Sequence, residues 1–166
     1  GYGVITGAVV TKTFEGGFFI ESSDRSAALK VLYTADPTPY VEVNPGDKVT
    51  VTGHISKANG SFTLPDGMFS VTSSDNPLPP PLGMPIRSLT NDMTYGMLVR
   101  TWGEVIDAGD GYTCTVADGA FSVKIISDEQ LTVTTGSYIA ITGIRDGKEE
   151  TGETTIRLSS LEEVSR

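Results

Sequence analysis

Apolar and polar residues alternate with period two through most of the chain, and no stretch carries apolar positions at helical spacing. The β-branched runs VITGAVVTKT, FFIE, AALKVLY, KVTVTGHIS and SFTLPDGMFSV predict five strands in the first part of the chain. MLVRTWGEVI, YTCTVA, FSVKII, YIAITGI and TTIRLS predict five more in the second. Turn residues punctuate both sets: EGG, SSDR, NPGD and the hairpin Asn59-Gly60, then AGDG, DGA, TTGS and RDGKEETGE. The fold class read from this pattern is all-β.

The two sets are copies. GDKVTVTGHI (46–55) aligns with GSYIAITGIR (136–145), matching Gly46 with Gly136, Thr52 with Thr142 and Gly53 with Gly143. FFIESSDRSAALKVL (18–32) aligns without a gap with YTCTVADGAFSVKII (112–126), pairing Asp24 with Asp118 and Lys30 with Lys124. TGAVV and WGEVI pair Gly7 with Gly103. Three blocks in one order describe a repeat of about 70 residues, the size of a small domain. Five strands closing within that length, with at most a turn or short helix between the third and fourth, predict a Greek-key barrel of the OB type. A small β-sandwich has similar strand spacing and is the alternative. Gly7 and Gly103 suit the bend of a barrel's first strand.

Between the copies lies TSSDNPLPPPLGMPIRSLTNDMTYG, with five of the chain's nine prolines at 77, 79, 80, 81 and 85. Proline fixes φ and removes a backbone donor, so this stretch reads as a stiff, polyproline-like strap rather than a central strand. The expected organisation is two tandem five-stranded OB-like Greek-key barrels, residues 1–71 and 97–166, joined by a proline-rich linker, 72–96, packed on the barrels.

FFIESSDRSAALKVL, GDKVTVTG, LGMPIRSL and YGMLVRTWGEV together resemble a tandem OB-fold-like module of secreted and surface proteins of bacteria. In such modules a block of the form FYIED...R.SGI.V precedes GD.V.V.G, a proline-rich joint and an opening strand GLLVR.WG.V. The resemblance covers nearly the whole chain and implies the fold and an extracellular or cell-surface setting; its motifs are structural ones. The chain departs from the pattern at TNDMTYG (90–96), shorter than in such relatives, and at DGAFSVKI, which lacks the Arg of the first copy. Both departures weigh against a shared ligand surface.

Charge then bears on partners. The 166 residues carry 12 Lys+Arg against 21 Asp+Glu, a net charge of −9. Nucleic-acid affinity comes mainly from basic side chains neutralising phosphates, so nucleic acid is not an expected partner, Lys30, Lys48 and Lys57 being the candidates for a local basic patch. A single cysteine allows no internal disulfide, and with one histidine it rules out a structural zinc set. No cofactor and no metal are expected. No apolar run reaches the eighteen or so residues of a membrane span, and GYGVITG has neither the charged nor the apolar region of a signal peptide.

No catalytic set emerges, and the chain is expected not to be an enzyme. His54 is the only base for a nucleophilic centre, and the alternation of KVTVTGHIS turns it to solvent. Cys114, between Tyr112 and Val116, falls on the core face. Asp146, Glu149, Glu150 and Glu153 gather carboxylates in a solvated loop with nothing to raise a pKa. Neither that loop nor Asp107 with Asp110 has EF-hand spacing.

Candidate binding residues come instead from the fold. An OB barrel presents ligands to the outer face of its second and third strands. If Phe18, Ile20, Leu29 and Val31 face inward, then Phe19, Glu21 and Lys30 face out, with Thr113, Thr115 and Lys124 at the equivalent places. Trp102 either fills the space between barrel and strap or offers a platform for a sugar. Asn59-Gly60-Ser61 is an N-glycosylation sequon set in a tight turn.

Two functions fit these features. The first is a non-enzymatic extracellular structural or adhesive module, the self-assembling subunit of a surface fibre, whose GYGVITG segment or LSSLEEVSR tail pairs with a neighbouring copy. Its partners are further copies, other surface proteins and glycans. The second is a ligand-binding OB protein that recognises single-stranded nucleic acid or an oligosaccharide.

Overall fold

A computed structural model describes residues 1–33, 41–58, 61–90, 92–148 and 152–165. The chain divides into two compact units, Gly1–Pro80 with Tyr95–Met97, and Pro81–Thr94 with Leu98–Arg166.

The first unit contains β1 (Tyr2–Phe14), β2 (Gly17–Glu21), β3 (Ala28–Leu32), β4 (Lys48–His54), β5 (Ser56–Ala58), β6 (Ser61–Leu64) and β7 (Met68–Ser73). They form one sheet in the order β5-β6-β3-β2-β1-β4-β7, antiparallel throughout except for the parallel pair β3–β6. KVTVTGHIS and SFTLPDGMFSV, each expected as one strand, are both broken in two, the second at Pro65-Asp66-Gly67, where proline withdraws a ladder donor. Inward side chains from five strands, among them Val10, Phe18, Ile20, Leu29, Val31, Val49, Val51 and Leu64, make the core, so the period-two pattern is satisfied by one buried face.

The second unit contains β8 (Leu82–Gly83), a 3₁₀ turn at Ile86–Thr90, β9 (Leu98–Asp107), β10 (Thr113–Asp118), β11 (Phe121–Ile126), β12 (Tyr138–Lys148) and β13 (Thr154–Glu163). Pairing runs β9–β10–β11–β13–β12 and returns to β9, which closes a five-stranded barrel. Its single parallel pair, β11–β13, matches β3–β6 of the first unit. Val99, Val105, Cys114, Val116, Val123, Ile125, Ile139, Ile141 and Ile156 are buried. Ile86 and Leu89 of the 3₁₀ turn are buried with them, and the turn packs on β9, β10 and β11. The buried Arg145 guanidinium fixes this turn, donating from Nε to the Leu89 carbonyl at 2.8 Å.

Residues of the proline-rich stretch therefore serve both units. Arg25, held at φ 59°, donates its guanidinium to the Pro80 carbonyl in the first. In the second, Leu82 and Gly83, between Pro81 and Pro85, form a parallel edge strand on β9, and the Met84 amide donates to Arg100 O at 3.0 Å. Proline bars a central strand but permits this short edge one, which the sequence pattern did not reveal.

The two aligned glycines of the first strands do different jobs. Gly7 is skipped by the β1–β4 register, between Thr6↔Thr50 and Ala8↔Val49, and takes φ 72° as a bulge. Gly103 lies in register opposite Ile139, and a Cβ there would stand 2.5 Å from Ala117 O, so close approach of β10 excludes a side chain. By register, Gly103 corresponds to Ala8.

Neither segment expected to pair with a neighbouring copy is loose. Tyr2–Val9 are spent on β4, and Leu161–Glu163 on β12, with the Val164 amide donating to Tyr138 O. Each segment is thus a strand of its own sheet, and any pairing with a neighbouring copy would have to use the edge that its own sheet leaves open.

Candidate functional site: an outer groove on the second unit

On the first unit, alternation along β2 behaves as expected, with Phe18 and Ile20 in the core and Phe19 and Glu21 on the opposite side. That opposite side is not surface. Phe19 is 0% exposed, its ring 5.2 Å from that of Phe14, and the Lys30 ammonium sits 5.4 and 5.5 Å above the two rings. Glu21 is 1% exposed, with Arg25 Nε at 4.0 Å. Tyr95–Met97 lie over the start of β3, where a Cβ on Gly96 would meet that of Ala28 at 3.2 Å. The expectation that Phe19, Glu21 and Lys30 offer an open ligand face is corrected by this burial: a covered ring cannot stack on a base or sugar.

The neighbouring β2–β3 loop is self-contained. Asp24 Oδ1 accepts from Ser22 Oγ, Ser26 N and Ser26 Oγ, and these bonds hold its carboxyl at about 2, below the usual 3.8.

The second unit keeps its outer face open. Alternation along β9 sends Trp102, Glu104 and Ile106 outward. Register places Tyr138 of β12 and Ala117 of β10 on either side of Glu104, and Ala140 beside Trp102. Ile106 falls in a bulge between Val105↔Val116 and Asp107↔Thr115, an irregularity of the kind that re-aims side chains. Glu104, Ile106, Ala117, Asp118, Gly119 and Tyr138 line an open groove of ≈ 610 Å³. Trp102, 37% exposed, continues its face along β9, and beyond it Arg100 pairs with Glu162 and reaches Thr142 Oγ1. At the corresponding places in the first unit stand Val9, Thr11 and Lys48, and Val9 and Thr11 are buried.

Two aromatic rings and two carboxylates on one open face can stack on a ligand and accept hydrogen bonds from its hydroxyls or amines. Nucleophilic chemistry finds no support there. Cys114 is buried, and burial, with Asp107 nearby, pushes its thiol from 9.0 up to about 11. His54 belongs to the first unit, edge-on to Tyr2 at 5.2 Å.

Asp107 and Asp110 each turn one carboxylate oxygen onto their own loop: Asp107 Oδ1 accepts from the Gly109 amide, and Asp110 Oδ1 from the amides of Tyr112 and Thr113 and the Thr113 hydroxyl, bonds that lower the Asp110 pKa. Asp146 accepts from Arg157 Nε at 2.7 Å. Among the described residues no cluster of three or more His, Cys, Asp or Glu could hold a metal ion. Lys124 lies between Thr115 and Thr155 in the sheet, half-buried. Asn59, Glu149 and Glu150 lie outside the described residues.

No protein-family model and no curated protein matches the chain. Solved structures do, at low identity. The telomere capping protein Ten1 from Saccharomyces pombe is 17% identical with a TM-score of 0.43, covering 51% of this chain and 81% of Ten1. The hypothetical protein ygiW from E. coli is 14% identical with a TM-score of 0.41, covering 52% of this chain and 100% of its own. A murine DNA binding protein bound with double-stranded DNA is 10% identical with a TM-score of 0.44 and full coverage of both chains. The expectation against nucleic acid as a partner is corrected here. The similar structures include that DNA-bound protein, and the net charge of a whole chain does not decide what one of its faces binds.

Proposed function

We propose that the chain is a non-enzymatic binding protein of two OB-like barrels, acting outside the cell or at its surface, and that the second barrel holds an oligosaccharide in its outer groove. The observation that carries this reading is the one open face on which Trp102, Tyr138 and Ile106 stand beside Glu104 and Asp118. An aromatic ring packs against the C–H face of a sugar while a carboxylate accepts from its hydroxyls, and both contacts need only a shallow, wet groove. Calorimetric titration with neutral oligosaccharides tests it: binding should weaken at least tenfold in Trp102→Ala and in Glu104→Gln, with thermal unfolding unchanged. Equal affinity in both variants would place the ligand elsewhere.

A second reading has an observation of its own. On the β5–β6 hairpin of the first unit the Lys57 ammonium lies 5.9 Å from the centroid of the exposed Phe62 ring, which pairs a stacking surface with a phosphate partner. It predicts binding of single-stranded nucleic acid that weakens steeply with salt and is lost in Phe62→Ala.

A further inference from the structure

The internal repeat exposes a vacancy. On β9 the edge opposite β12 carries β8, with Leu82 against Val99, Gly83 against Arg100, and the Met84 amide on Arg100 O. The pairing of first and fourth strands fixes the equivalent residues of the first unit. Arg100 faces Thr142 as Val4 faces Thr52, Val99 faces Gly143 as Gly3 faces Gly53, and Leu98 faces Ile144 as Tyr2 faces His54. The edge of β1 from Gly3 to Thr6 therefore matches the edge that β8 occupies. Among the described residues nothing pairs there, because β2 joins β1 only from Val9 onward.

We propose that this edge receives an extended, uncharged, proline-rich peptide as an added parallel strand, in the register that Leu82 and Gly83 take on β9. An open edge displays the carbonyl and amide of alternate residues, and strand addition uses them directly. Val4 is the residue in question: like Arg100, whose carbonyl accepts from Met84, it turns both groups away from the fourth strand.

The side chains around it suit such a peptide. Where the second unit has the charged Arg100–Glu162 pair, the first presents Val4 at 60% and Tyr2 at 62% exposure, with Thr6 beside them. In parallel register the residue before the paired leucine, Pro81 in β8, falls level with Leu98, and so with Tyr2 on β1. A proline there meets an aromatic ring whose orientation His54 holds edge-on, the contact by which aromatic surfaces read extended proline-rich chains. The occupant is a separate polypeptide rather than the strap of a second copy, whose Leu82 and Gly83 are already spent on their own β9.

The test is a titration of the full chain with the synthetic peptide NPLPPPLGMPI, blocked at both ends so that it carries no charge, followed by amide chemical shifts. Saturable shifts confined to residues 2–6 and their β4 partners are expected. Val4→Pro, which removes the outward amide while leaving the β4 bonds in place, should weaken binding at least tenfold, as should Tyr2→Ala. A peptide with serine for every proline should bind at least tenfold more weakly than the parent. The proposal is overturned by an unshifted β1 at millimolar peptide, by shifts only at Leu98–Arg100 as the peptide displaces β8, or by a concentration-dependent dimer that Val4→Pro abolishes.

Discussion

At the scale of single residues, the β9 strand states its constraints most sharply. Thr101 is fully buried on the inward side, and its hydroxyl has no hydrogen-bond partner among the described residues. Removing an unsatisfied buried hydroxyl should stabilise, so Thr101→Val is expected to raise unfolding free energy by about 1 kcal/mol in urea titration. Two residues on, Gly103→Ala would drive a methyl into the Ala117 carbonyl 2.5 Å away. The backbone cannot yield there without opening the β9–β10 ladder, and a loss of about 2 kcal/mol is expected in the same titration. Cys114 reports on the same barrel from inside: with its thiol raised to about 11 and buried, it should resist a thiol reagent until denaturant opens the unit.

At the scale of elements, strands were legible and their interruptions were not. Alternation picked out AALKVLY, YTCTVA and FSVKII because one buried face is all such a strand needs to show. It said nothing of the breaks at Ile55 and Pro65, nor of β8, because two residues between prolines carry no periodicity. The 3₁₀ turn at Ile86–Thr90 escaped for the same reason, although Ile86 and Leu89 are among the most deeply buried side chains. Leu89→Ala should therefore cost about 3 kcal/mol, the scale of a truncated core leucine, and should speed amide exchange in the second unit ahead of the first. The β2–β3 loop responds to acid instead. Hydrogen bonds depress the Asp24 carboxyl to about 2, so its support for the loop is complete above the unfolded value of 3.8 and is lost as pH falls through about 2. Exchange of the Ser26 amide, bonded to Asp24, should accelerate across that window and not above it.

At the scale of the whole molecule, the repeat was the most legible feature and also the most misleading. Matching blocks suggested matching surfaces, and Phe19, Glu21 and Lys30 were read as facing a ligand because their positions do so in an open barrel. Burial separates the units: Phe14, Lys30 and Tyr95–Met97 close the face of the first, while β9, β10 and β12 of the second keep Trp102, Glu104 and Tyr138 accessible. Glu104 and Ile106 share one side of MLVRTWGEVI with Trp102, so the β9 wall of the groove could have been found by alternation alone. Tyr138 could not, because only the β9–β12 register brings it beside Glu104. Trp102 is the sole tryptophan, which makes the groove its own reporter. The most direct measurement is therefore tryptophan emission during titration with neutral oligosaccharides, run in parallel on wild type and Tyr138→Ala. A saturable change in wild type, insensitive to salt and weakened at least tenfold in the variant, is the predicted result. Emission unmoved by any sugar, while single-stranded nucleic acid shifts it with a steep salt dependence, would contradict the assignment of this groove to oligosaccharide.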